Sequence, residues 1–113
     1  MDYFPDDMNS RNKGATFERE VIKAFKDYLG VDCKRNLEQW RSGGDDIELP
    51  PYSIECKRRS KIAIYDWWDQ ACKSADAKKM QPILIVRADR EETLVVMDLR
   101  EFIRLIREEV THP

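Results

Sequence analysis

Apolar residues along the 113-residue chain recur at helical spacing in some stretches and at strand spacing in others. Phe17, Val21, Ala24, Phe25 and Tyr28 fall at i, i+4, i+7, i+8 and i+11, one stripe on a helix that begins at about Gly14. Gly30 is placed to end it in a left-handed cap. Val31-Asp32-Cys33-Lys34-Arg35 then alternates in the manner of a half-buried strand. Asp46-Ile47-Glu48-Leu49 is a short strand that Pro50-Pro51 breaks, and Ser53-Ile54-Glu55-Cys56-Lys57 is the next. A second helix spans roughly Ile64 to Lys78. Pro82-Ile83-Leu84-Ile85-Val86 is a continuous apolar run, which predicts a strand covered on both faces. Leu94-Val95-Val96-Met97 is another strand. Asp98 is a fitting N-cap for a last helix whose Leu99, Phe102, Ile103 and Ile106 are expected to form a buried stripe. The order α-β-β-β-α-β-β-α predicts an α/β fold, a mixed central sheet with helices packed against it. Residues 1–12 are polar and contain Pro5, which suggests an irregular arm ahead of a single domain over 13–113.

Composition narrows the class. With 42% hydrophobic and 37% charged residues, the chain suits one folded, soluble domain with a strongly charged surface. No apolar run approaches the roughly 20 residues of a membrane span, and the N-terminus lacks the features of a signal peptide, so a cytoplasmic protein is expected. Cys33, Cys56 and Cys72 are odd in number and none has CxxC spacing, which favours reduced, packed thiols. His112 is the single histidine. That excludes a Ser-His-Asp triad, a histidine base within the domain and an HExxH zinc site, and leaves any catalysis to carboxylates, lysines and a metal. The net charge of −2 is not that of a typical nucleic-acid binder, yet it is unevenly spread. Basic residues such as Arg11, Lys13, Arg41, Lys57, Arg58, Arg59 and Lys61 load the first half; Glu91, Glu92, Glu101, Glu108 and Glu109 load the end.

The chemistry gathers in the segment from Asp46 to Lys57. Side chains two apart on a strand share a face. Glu55 and Lys57 therefore point one way and Ile54 and Cys56 the other, while Asp46 and Glu48 oppose Ile47 and Leu49. An antiparallel hairpin across Pro50-Pro51 with Leu49 opposite Tyr52 sets Ile47 against Ile54 and Asp46 against Glu55. A slip of one residue would spoil both faces, so the apolar pattern selects the register that brings the acids together. Two such carboxylates at ~4 Å repel by about 4 kcal/mol at an effective dielectric near 20. A hard divalent cation turns that repulsion into a binding site, with Mg²⁺ expected and Mn²⁺ as a substitute. Lys57 would set an ammonium beside the metal, where it can offset charge on a phosphorus transition state. Charges alternating with apolar residues also mark a plain solvated strand face, and the spacing alone does not separate the two readings.

The run Gly43-Gly44-Asp45-Asp46-Ile47, the hairpin, Ile54-Glu55-Cys56-Lys57 and the upstream Lys13-Gly14-x-x-Phe17-Glu18-Arg19-Glu20 together resemble the PD-(D/E)xK nuclease superfamily. Within it the chain looks most like small Holliday-junction resolvases of the archaeal type and their phage relatives, over about Lys13 to Val96. The resemblance implies a restriction-endonuclease-like core, with Asp46 and Glu55 as metal ligands, Lys57 as the catalytic lysine and Glu18 as the helix-one acid that reaches the metal. Asp45 rivals Asp46 for the ligand position. Gln70 resembles a polar residue that some members place near the site from the following helix; an exposed helix position is the other reading. Ser42 is a further auxiliary candidate, and Arg11, Lys13, Arg41, Arg58, Arg59 and Lys61 are candidates for DNA-backbone contact. Trp67 and Trp68 read as core or dimer contacts. The implied activity is Mg²⁺-dependent endonucleolytic cleavage of branched DNA by a homodimer, phage-encoded or bacterial or archaeal. A nicking, flap, single-strand or restriction-like nuclease, or an inactive DNA-binding module, are the alternatives.

Overall fold

In the computed structural model the described residues are 10–36 and 46–112, with side chains described for 14–35 and 47–112. The elements are α1 (Ser10–Leu29), β1 (Lys34–Asn36), β2 (Asp46–Leu49), β3 (Tyr52–Arg59), α2 (Ile64–Ala77), β4 (Gln81–Ala88), β5 (Leu94–Val96) and α3 (Leu99–Thr111). This is the α-β-β-β-α-β-β-α order of a restriction-endonuclease-like core. The sheet runs β1-β2-β3-β4-β5; β3 and β4 are parallel and every other neighbouring pair is antiparallel. Parallel neighbours need a crossover connection, and α2 supplies it.

The alternation of β3 divides the core in two. Ile54 packs with Phe17 and Val21 of α1 and with Ile47, Ile83 and Ile85; Tyr52 and Cys56 border the same cluster. Leu84 and Val86 lie on the other face under Trp67 and Ala71 of α2, with Trp68 and Val96 at the margin. The register Glu55↔Leu84 and Lys57↔Val86 puts those two charged residues on the α2 face. β4 is buried from Ile83 to Arg87, as its unbroken apolar run requires. Trp67 belongs to the core. All three cysteines are reduced thiols of intermediate burial, and burial raises the pKa of Cys33 and Cys72 above the usual thiol value.

Several boundaries differ from the sequence pattern. α1 begins at Ser10, ahead of the glycine at which its apolar stripe starts, because a polar first turn is compatible with a helix whose packing begins at Phe17. Its stripe is buried at Phe17 and Val21 and half-buried at Ala24 and Phe25, while Tyr28 is 70% exposed. Gly30 adopts φ +69° and its N–H bonds the Lys26 carbonyl, the expected cap. β1 occupies Lys34–Asn36 and leaves Val31 to Cys33 outside the strand.

The largest departure is α3. Asp98 caps it as expected, accepting from the N–H groups of Arg100 and Glu101. Its apolar stripe is not buried, however: Leu99, Phe102 and Ile103 are exposed, and Ile106 only half-buried. Glu101 is the buried residue of this helix. It accepts from Tyr52 Oη at 2.6 Å and from Arg104 Nη2 at 2.6 Å, and Arg104 Nη2 also reaches Tyr52 Oη at 3.0 Å. The helix is docked to the start of β3 by its polar side.

Candidate active site

The hairpin has the register that the apolar pattern selects. Asp46 pairs with Glu55, Ile47 with Ile54, Glu48 with Ser53 and Leu49 with Tyr52, so Pro50-Pro51 alone forms the link. Ile47 is fully buried and Ile54 nearly so. Their packing under α1 holds the two strands in step and thereby fixes Asp46 directly across from Glu55.

Glu55 and Lys57 are 2% and 5% exposed, and Lys57 Nζ lies 3.7 Å from Glu55 Oε1. Two ionised groups so far out of water each carry a desolvation cost, which their mutual attraction offsets. Leu84 and Val86 flank them on the neighbouring strand, and α2 packs over the same face. The result is a preformed acid and ammonium pair in a water-poor setting, where electrostatic interactions are stronger than on the surface.

Glu18 is also buried, next to Phe17 on α1, and its carboxylate pairs with Arg35 Nε of β1. Arg35 stands opposite Ile47, so it lies on the face that α1 covers. The sequence gives no local hint of this partner, which is 17 residues away. Gln70 is half-buried on α2 between Trp67 and Ala71, and its Oε1 is buried with no hydrogen-bond partner among the described residues. An unmet buried acceptor costs about 1–3 kcal/mol, so this atom suits a donor or cation that binds there.

The basic run after Glu55 does not form one patch. Arg58 is 1% exposed, follows Ile54 and Cys56 on the opposite face from Lys57, and pairs with Asp89 at 3.6 Å. It is a buried structural cation, which corrects its assignment to DNA contact. Arg59 is half-buried and donates to the Arg58 carbonyl, whereas Lys61 is exposed. Arg41, Ser42 and Asp45 lie outside the described residues, as do the side chains of Arg11, Lys13 and Asp46. Among the described residues no group of three or more potential ligand side chains gathers around a metal position. The set that fits a hard cation is Glu55 with the residue held across from it.

The profile of one family, described as "Phage putative PDDEXK endonuclease", matches residues 9–112. The chain belongs to this family. The match runs from the residue before α1 to the penultimate position, so it takes in every described element of this PDDEXK endonuclease. No curated protein matches the chain. No solved structure matches it either. Among the described residues, no helix of the endonuclease is long and apolar enough to cross a membrane.

Proposed function

We propose that this endonuclease is a Mg²⁺-dependent, structure-selective enzyme of Holliday-junction-resolvase type that acts as a homodimer on branched DNA in the cytoplasm. The observation that carries the reading is the Asp46↔Glu55 register beside the buried Lys57–Glu55 pair. Asp46 and Glu55 would hold the ion, with Mn²⁺ as a substitute, and Glu18 would join them as a third acid only on leaving its partner Arg35. When bound, the ion supplies a lowered water pKa and charge neutralisation at the phosphate. Lys57, held in place by Glu55, donates to a phosphate oxygen and stabilises the negative charge that grows there. Gln70 Oε1 accepts a hydrogen bond from the attacking water. Lys61 and Arg59, with Arg11, Lys13 and Arg41, contact backbone phosphates, and Ser42 and Asp45 support the approach to Asp46. Symmetric incision of a four-way junction needs two active sites, and a two-fold dimer provides them.

The test compares purified protein on four-way junction, flap, nicked and linear duplex DNA in Mg²⁺, with Glu55→Gln as the control. Paired incisions on the junction by the wild type, absent in the variant, are expected. Equal cleavage of linear duplex would overturn junction selectivity, and full activity of Glu55→Gln would overturn the site.

A further inference from the structure

Helix α3 is mounted with its faces reversed. Glu101 and Arg104, which tie it to Tyr52, lie on the side away from the stripe formed by Leu99, Ile103, Ile106 and Val110. Leu99 is 68% exposed, Ile103 46% and Val110 67%, with Phe102 beside them at 47%. The patch continues onto the sheet edge, because Val95, Val96 and Met97 line a shallow groove with Leu99 and Phe102, and Leu94 and Val95 of β5 are themselves exposed. β5 pairs with β4 on one side and, among the described residues, ends the sheet on the other. The exposed apolar side chains from Leu94 to Val110 leave on the order of 500 Å² uncovered, the size of patch that on a monomer is often an interaction site.

We propose that this surface is a self-association site, and that α3 packs antiparallel against α3 of a second copy. Two observations select a second copy as occupant. The stripe is spaced 99, 103, 106, 110, in steps of four, three and four residues, and so reads the same in both directions. An antiparallel copy therefore sets Leu99 against Val110 and Ile103 against Ile106 twice over, as a two-fold interface requires. The uncovered area also approaches the apolar part, roughly two-thirds of about 800 Å², of one side of a standard dimer interface. The proposal deepens the dimer of the preceding reading by naming its surface, but its test needs neither DNA nor metal.

Light scattering coupled to gel filtration, and sedimentation equilibrium at tens of micromolar, should give the wild type twice its chain mass of 13.4 kDa. Ile103→Glu should give a monomer with unchanged far-UV circular dichroism. Leu105→Glu, also 46% exposed but off the stripe, should stay dimeric. A monomeric wild type, or a dimer that survives both Ile103→Glu and Phe102→Glu, overturns the proposal. A dimer lacking nuclease activity would sink the functional reading and leave this one standing.

Discussion

At the scale of single residues, the buried pair decides how the site can be probed. Removing one member of a buried ion pair strands the other charge and costs about 3–5 kcal/mol. Alanine at Glu55 or Lys57 would thus confuse lost catalysis with lost fold. Glu55→Gln keeps both the shape and an oxygen acceptor for the Lys57 ammonium, and is expected to lower cleavage by roughly 10²-fold or more while the circular dichroism stays native. In a melting series, millimolar Mg²⁺ should raise the midpoint of the wild type and leave that of Glu55→Gln unmoved; equal shifts would remove Glu55 from the ligand set. Arg58 and Lys61 should separate cleanly. Arg58→Met is expected to cost about 1–3 kcal/mol in urea unfolding because its ion pair with the partly exposed Asp89 is lost. Lys61→Ala should leave stability alone and weaken DNA binding with a shallower salt dependence. The sequence already held the signal for Arg58: the two-residue period that groups Glu55 with Lys57 also groups Arg58 with Ile54 and Cys56. A run of basic residues draws the eye to charge, and the strand answers to alternation.

At the scale of elements, α3 shows what periodicity can and cannot tell. It identified the residues that share a face and the Asp98 cap, both of which are local properties. What covers that face depends on contacts distant in the chain, and Tyr52 is 49 residues from Glu101. The polar dock makes α3 sensitive to acid. Hydrogen bonds from Arg104 and Tyr52 hold the Glu101 carboxyl down at about 2, against an ordinary value of 4.5, and the same bond raises the Tyr52 phenol. A depressed carboxylate contributes stability that is fully present above its unfolded pKa and is lost as pH falls through the folded one. Wild-type stability should therefore decline between about pH 4.5 and 2, and Glu101→Gln should flatten that part of the profile. Superimposable profiles would show that the dock contributes nothing. Tyr52→Phe should speed amide exchange in α3 more than in β3 or β4.

At the scale of the whole molecule, the hairpin, the element order and the burial of β4 on both faces were readable because each follows from side-chain period. The Asp46↔Glu55 pairing needed only the rule that Ile47 and Ile54 must share the core. The Glu18–Arg35 pair and the orphaned Gln70 oxygen were not readable in this way, since both depend on how α1 and α2 lie across the sheet.

The eight residues of β3 carry core and chemistry in strict turn, Ile54 and Cys56 inward beneath one helix, Glu55 and Lys57 beneath the other. Such a strand has something like a reading frame. Inserting a single residue between Glu55 and Lys57 would send the ammonium into the oily layer and drag Arg58 out of it, whereas a pair of residues would restore the phase. An insertion scan should accordingly find this stretch intolerant of odd lengths, and the turn after Ser60 indifferent to them.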